Sequence, residues 1–252
     1  MQPFKTIRSV NVPSIGLGTW DLRGHACEKA VASALNVGYR HIDTAEMYDN
    51  EEFVGAGVKN SGIPRDDIFI TTKVWPTHYG KDAFFKAVDT SLKKLKMDQV
   101  DLLLLHWPKD DETNIKATEY LLQCHEQKLA KQIGVSNFSI AQLKQAQSQA
   151  PIFCNQVKYH PYEKKRELLK YAQDQDVLLT AYSPLGSGDL KDDARLKSIG
   201  EKYGKSAIQI ALRWLIQQPQ MVTIPKAGTE AHQKANLDIF DFELTEEEMA
   251  IF

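Results

Sequence analysis

Three ionisable side chains stand where short apolar runs of this sequence stop. Asp43 follows His41-Ile42, Lys73 follows Ile70-Thr71-Thr72, and His106 follows Leu102-Leu103-Leu104-Leu105. An unpaired buried charge costs several kcal/mol at least, so three such residues on consecutive strands need one another as partners. Taken singly, Asp43 reads as a helix cap or a structural ion pair, Lys73 as a solvated strand end, and His106 as a satisfied core histidine. Taken together, a carboxylate, an ammonium and an imidazole at one rim form an acid–base group. A lysine so placed could also attack a carbonyl as a Schiff-base nucleophile. A neighbouring Asp43 that keeps Lys73 protonated suppresses that role. The other run ends add Trp20, Ser136-Asn137, Asn155-Gln156, Tyr182-Ser183 and Lys226 to the same rim.

These residues need elements to bring them together. Strands are predicted over Ser14–Thr19, Tyr39–Asp43, Ile68–Lys73, Val100–Leu105, Gln132–Ser136, Ile152–Val157, Val177–Ala181 and Met221–Ile224. Several lack alternation, as strands covered on both faces of a parallel sheet do. Helical patterns lie between them. Ile208, Ala211, Leu212 and Leu215 follow the i, i+3, i+4, i+7 rule. Asp49-x-x-Glu52, Ser139-x-x-Gln142 and Thr245-x-x-Glu248 resemble N-terminal capping boxes. Phe4–Ile7 and Val10–Val12 around Arg8-Ser9 predict a small hairpin, and an extra helix fits near Ala194–Tyr203.

Eight strand–helix units predict a (β/α)8 barrel with a short N-terminal hairpin, a fold usually of about 250 residues, and this chain has 252. A doubly wound sheet is the competitor, but it requires a Gly-rich phosphate turn after its first strand. Gly16-x-Gly18 runs into Trp20 and Asp21, and Gly55-Ala56-Gly57 has Asn60 at the last glycine position. No linker or low-complexity stretch divides residues 1–252, which predicts one domain. The net charge of −2 gives no reason to expect nucleic acid or an anionic membrane as partner. Cys27, Cys124 and Cys154 form no CxxC pair, so neither a zinc site nor a disulfide framework is suggested. With no apolar leader and no long apolar run, the expectation is a cytoplasmic protein.

At these residues the chain closely resembles the aldo-keto reductase family. The motifs run in order from about Gly16 to Asn236. They are Gly38-Tyr39-Arg40-His41-Ile42-Asp43-Thr44-Ala45 with Tyr48, Thr72-Lys73-Val74-Trp75, Leu105-His106-Trp107-Pro108, Gly134-Val135-Ser136-Asn137-Phe138 and Ala181-Tyr182-Ser183-Pro184-Leu185. The short segment after Pro108 is most similar to the bacterial 2,5-diketogluconate and methylglyoxal-type reductases. The resemblance implies a catalytic tetrad of Asp43, Tyr48, Lys73 and His106. Alone, Tyr48 is an ordinary loop tyrosine. Within the tetrad it is the proton donor to a carbonyl that receives hydride, and Lys73 is expected to bring its pKa down from about 10. His106 is expected to hydrogen-bond the carbonyl oxygen.

The same resemblance implies a nicotinamide site. Ser136, Asn137 and Gln156 match positions that bind the carboxamide, and Tyr182 matches the ring stacked on the nicotinamide. Ser183 and Leu185 match the pyrophosphate channel; Lys226, Thr229, His232 and Asn236 match the segment that grips the adenosine 2′-phosphate end. His232 stands where the family usually has arginine, Ala227 for a common serine and Ala235 for a common glutamate. Lysine is a point charge without arginine's bidentate fork. The expectation is therefore NADPH, with NADH also usable. Trp20, Trp75 and Trp107 are implied to line a pocket for small aldehydes, dicarbonyls or keto-sugars, or else they fill core. Family members usually continue with a tail across the barrel mouth, so the end at Phe252 gives the expectation of either a chain cut short or a more open pocket with looser selectivity. A monomer is the family's common form. The alternative function is a nicotinamide-binding regulatory subunit or sensor with weak reductase activity.

Overall fold

The computed structural model describes residues 3–186 and 188–252. A hairpin of β1 (Phe4–Ile7) and β2 (Val10–Pro13) precedes eight parallel strands: β3 (Leu17–Gly18), β4 (His41–Asp43), β5 (Phe69–Val74), β6 (Val100–Leu105), β7 (Ala130–Ser136), β8 (Cys154–Lys158), β9 (Leu178–Tyr182) and β10 (Met221–Thr223). Helices α1 (Gly24–Val37), α2 (Glu51–Ser61), α3 (Lys81–Leu95), α4 (Asp111–Glu126), α5 (Ile140–Gln147), α6 (Arg166–Asp174), α7 (Ala194–Tyr203), α8 (Ala207–Gln217), α9 (Glu230–Leu237) and α10 (Glu246–Ala250) follow in chain order. The strands pair in sequence order, and the two ends of the sheet meet. Gly16 N–H donates to Thr223 O at 2.8 Å and Thr223 N–H to Ser14 O at 3.1 Å. This is a (β/α)8 barrel. α7 is the extra helix expected between the last two strands.

Two apolar layers hold it. Outward side chains such as Ile42, Ile70, Leu103, Leu105, Val135 and Leu179 pack against the helices. Inward ones, Phe69, Leu102, Leu104, Cys154, Leu178 and Val222, pack with Ile7 and Val12 of the hairpin, which plugs the end where the strands begin. Strand alternation then fixes what faces inward at the other end. Lys73 lies two and four residues after the inward Thr71 and Phe69, and Gln156 lies two after Cys154. Asn155, out of phase, faces the helices, and its amide donates to Phe138 O at 2.9 Å. It does not join the rim, contrary to expectation.

Two sequence signals take a different form. Gly16 and Gly18 sit where a Cβ would lie 2.8 Å from the His41 ring and 2.4 Å from Ile224 O, respectively. Their lack of a side chain lets β3 close against its neighbours. The Asp49-x-x-Glu52 capping box does not form. α2 starts at Glu51, and Asp49 has φ 50° at the end of the preceding turn. Asn50 occupies the N-cap position, but its side chain is spent on three loop partners: it accepts from Thr44 Oγ1 (2.7 Å) and donates to Thr19 O (2.8 Å) and Leu22 O (3.0 Å). Ser139–Gln142 and Thr245–Glu248 do form capping boxes. α8 is buried almost all round, with Ile208 its less covered side, because α7, α9 and β10 surround it. None of the described helices is long and apolar enough to cross a membrane.

Candidate active site

The strand ends surround a cavity of about 560 Å³. At its base β4 delivers Asp43 and β5 delivers Lys73, each only 1% exposed. Lys73 Nζ lies 2.5 Å from Asp43 Oδ1, 2.8 Å from Thr44 O and 3.3 Å from the Tyr48 hydroxyl. The second Asp43 oxygen accepts the Gln156 amide at 2.7 Å. Both charges are therefore paired and hydrogen-bonded, which is what lets them stand in the barrel interior. Burial works against the Lys73 ammonium, yet Asp43, Tyr48 and their hydrogen bonds outweigh it and hold its pKa above the ordinary lysine value.

Tyr48 comes from a single 3₁₀ turn, Glu46–Tyr48, between β4 and α2. Its ring meets Trp20 edge-on (centroids 4.9 Å) and His106 edge-on (5.6 Å), with Lys73 Nζ 4.9 Å from its centroid. One expectation is corrected here. Lys73 does pull the Tyr48 pKa down, but burial is the larger effect and the net direction is upward. The phenol stays protonated, and the stabilisation by Lys73 is felt mainly when a proton leaves.

His106 follows β6 and is 8% exposed. Burial, with Lys73 nearby, drops its pKa to about 2. The imidazole is neutral at physiological pH and keeps one N–H to donate. His41, one inward step below Asp43, is likewise pushed by burial to about 4. Both folded values lie below the ordinary 6.5, so the unfolded chain takes up protons that the folded state refuses. Stability is full above about 6.5 and falls as pH drops toward 4 and 2. Near pH 5 the two together are expected to cost on the order of 4 kcal/mol, at 1.36 kcal/mol per unit. Urea midpoints at neutral pH and near pH 5 check this; equal midpoints would refute it.

Above the base, Ser136, Asn137, Gln156, Tyr182, Ser183, Leu185 and Lys226 line the same cavity. Tyr182 donates to Asn137 Oδ1 (2.8 Å), and Asn137 Nδ2 reaches Ser136 Oγ (3.0 Å) and His106 O (3.3 Å). Asn137 (φ 64°) and Ser183 (φ 48°) are held in the left-handed region. Trp20, Trp75 and Trp107 form the outer wall; Trp20 and Trp107 are 49% and 42% exposed, too open to be core.

The far end of the predicted cofactor segment is less engaged. Lys226 is exposed and lies 3.3 Å from Asp21. Thr229, His232 and Asn236 do not line the cavity. Thr229 caps α9 by accepting the His232 N–H (3.4 Å), and Asn236 is buried against the Tyr39 hydroxyl. Met47, Gly186 and Gly188 line the cavity without having been singled out. They are apolar neighbours of motif residues and carry no chemical signature of their own.

The profile of the Aldo/keto reductase family matches residues 14–252. Glyoxal reductase of Bacillus subtilis (strain 168) is 40% identical over 248 residues, covering 97% of this chain and 89% of that protein. A crystal structure of an aldo/keto reductase from Brucella melitensis superposes with a TM-score of 0.94 at 40% identity, covering 100% of this chain and 98% of that one. A second structure, provisionally named a 2,5-diketo-D-gluconic acid reductase B, superposes with a TM-score of 0.97 at 42% identity over 100% of this chain and 90% of that one.

Proposed function

Since this chain belongs to the aldo/keto reductase family, we propose that it reduces small aldehydes, dicarbonyls or keto-sugars to alcohols with NADPH, using Tyr48 as proton donor. It is an NAD(P)H-dependent oxidoreductase of carbonyl compounds. One observation carries the finer reading. A fully buried Lys73 ammonium, fixed by Asp43 at 2.5 Å, lies 3.3 Å from the Tyr48 hydroxyl at the floor of the cavity.

The residues fit a nicotinamide cofactor. Ser136, Asn137 and Gln156 offer amide and hydroxyl partners for a carboxamide, and the part-buried Tyr182 ring offers a stacking face. Gly186 and Gly188, at φ 60° and 99°, leave room beside the loop after β9. When bound, the reduced nicotinamide supplies hydride to the carbonyl carbon. The remaining work belongs to the side chains. Neutral His106 donates a hydrogen bond that orients the carbonyl oxygen and steadies its growing charge. Tyr48 passes its proton to that oxygen, and Lys73 stabilises the phenolate left behind. Asp43 keeps Lys73 charged and fixed, with Gln156 on its other oxygen. A lysine whose ammonium has three acceptors has no lone pair free for a carbonyl, which speaks against the Schiff-base reading.

The single domain, the monomeric state and a cytoplasmic site of action belong to the same proposal. Adding methylglyoxal to wild-type protein with NADPH should start NADPH oxidation; no oxidation with any small dicarbonyl, aldehyde or keto-sugar would refute the reading. Lys226 is proposed to meet the 2′-phosphate. It is shared with Asp21 and lacks an arginine neighbour at His232, which weakens the grip and leaves NADH usable. Lys226→Met is expected to raise KM for NADPH about tenfold, one charge-assisted contact, and to leave KM for NADH nearly unchanged. Equal effects on both cofactors would remove Lys226 from the phosphate site.

A further inference from the structure

The turn that carries Tyr48 also reaches sideways. Glu46 extends its carboxylate to the segment after β5, where Oε1 accepts the backbone N–H of Trp75 at close range. The same carboxylate lies 3.0 and 3.2 Å from His78 Nδ1. Its side chain is only 13% exposed. Trp75 in turn stands edge-on to His106, centroids 5.0 Å apart at 86°. The far end of that segment is tied to the next loop: Tyr79 donates to Trp107 O at 2.8 Å and receives the Trp107 N–H at 3.4 Å. Three rim loops are thus latched together, and the aromatic wall beside His106 sits in the middle.

What lies behind that wall gives the latch its consequence. Met47 and Trp75 line the active-site cavity and also line a second cavity, of about 460 Å³, reaching Glu51, Lys86, Thr90 and Lys94 of α2 and α3. The two residues are the partition between the spaces. Glu46 grips the backbone N–H of Trp75, so loss of that bond frees the segment after β5 to shift; the indole it carries then has the second space to move into, and the active-site cavity grows by what the ring vacates.

We infer that Glu46 is a specificity-determining positioning residue, which by holding Trp75 keeps the pocket sized for small carbonyl compounds. The inference rests on the reading of Tyr48, Lys73, Asp43 and His106 as a carbonyl-reducing centre. Its test compares wild type, Glu46→Gln and Glu46→Ala with methylglyoxal and with 2-naphthaldehyde, separating KM from kcat, and measures NADPH binding by fluorescence. Glu46→Ala is expected to raise KM for methylglyoxal about tenfold, as loss of a hydrogen bond to a charged group does. Its kcat/KM ratio should shift toward the bulky aldehyde by a similar factor. Glu46→Gln keeps an acceptor for the Trp75 N–H and should lie near wild type. NADPH affinity should be the same in all three. An unchanged substrate ratio in Glu46→Ala overturns the inference, and so does a parallel loss of both substrates and of NADPH binding. If Glu46→Ala does not fold, Glu46→Asp, whose carboxylate falls one methylene short, gives the same reading under the same criteria. An active Tyr48→Phe would sink the parent reading instead, whatever Glu46 does.

Discussion

Tyr48→Phe is expected to lower kcat for carbonyl reduction by about 10²–10⁴, the usual contribution of a positioned proton donor. The substitution removes one oxygen and leaves the ring, so the edge contacts with Trp20 and His106 persist. NADPH affinity should therefore stay within about twofold, because no nicotinamide contact is proposed for the hydroxyl. The pH dependence follows from the direction of the shift. Tyr48 is held above its ordinary value by burial, so the wild-type donor stays protonated through the neutral range and is lost only as pH rises through that higher value. Steady-state kinetics with a fluorescence titration of NADPH decide the matter. A variant that turns over like wild type would return Tyr48 to the status of a loop tyrosine.

Lys73→Met has the second large effect, and it acts on stability as well as rate. Methionine matches the length of the stem but leaves the Asp43 carboxylate in the barrel with Gln156 alone. Breaking a buried pair in this way typically costs about 3–5 kcal/mol, because the remaining charge is uncompensated. Activity falls too, since the phenolate left by Tyr48 loses its counter-charge. Asp43→Asn added to Lys73→Met should recover part of the lost stability, because neither charge then stays buried, but none of the lost activity. Urea unfolding of the two single variants and the double variant measures this. If the double variant is no more stable than Lys73→Met, the cost is not electrostatic.

The architecture was legible because the strands of a (β/α)8 barrel are buried on both faces and read as apolar runs. The run Val100–Leu105 has the same bounds in sequence and structure, and α7 falls on Ala194–Tyr203 as expected. The first strand is shorter than its apolar stretch. Ser14–Gly16 closes the barrel through backbone bonds to Thr223, which no local pattern records. The cap predicted at Asp49 failed for a tertiary reason: Asn50 is occupied by Thr44, Thr19 and Leu22, and Asp49 closes the turn that carries Tyr48 with φ 50°. Asn155 misled because it is the second residue of a strand that runs on to Lys158, and it lies on the outward face, the inward phase being set by Cys154 and Gln156.

At the site, the run ends pointed to Asp43, Lys73 and His106, and only the family resemblance added Tyr48, whose hydroxyl lies 3.3 Å from Lys73 Nζ. The sign of the Tyr48 shift was not legible, because it depends on how deeply the hydroxyl is buried rather than on its charged neighbour. Glu46 gave no signal at all. A glutamate two residues before a tyrosine is an ordinary surface pattern until the fold brings the Trp75 N–H to it.

The central claim is hydride delivery from the nicotinamide to a carbonyl carbon, and isotope placement tests it most directly. Wild-type protein is given methylglyoxal with NADPH deuterated at the transferable position of the nicotinamide, and the product is analysed by mass spectrometry. The account predicts a hydroxyketone carrying one deuterium on the new carbinol carbon, formed in step with NADPH consumed. Product without deuterium, or NADPH consumed with no alcohol formed, would contradict it.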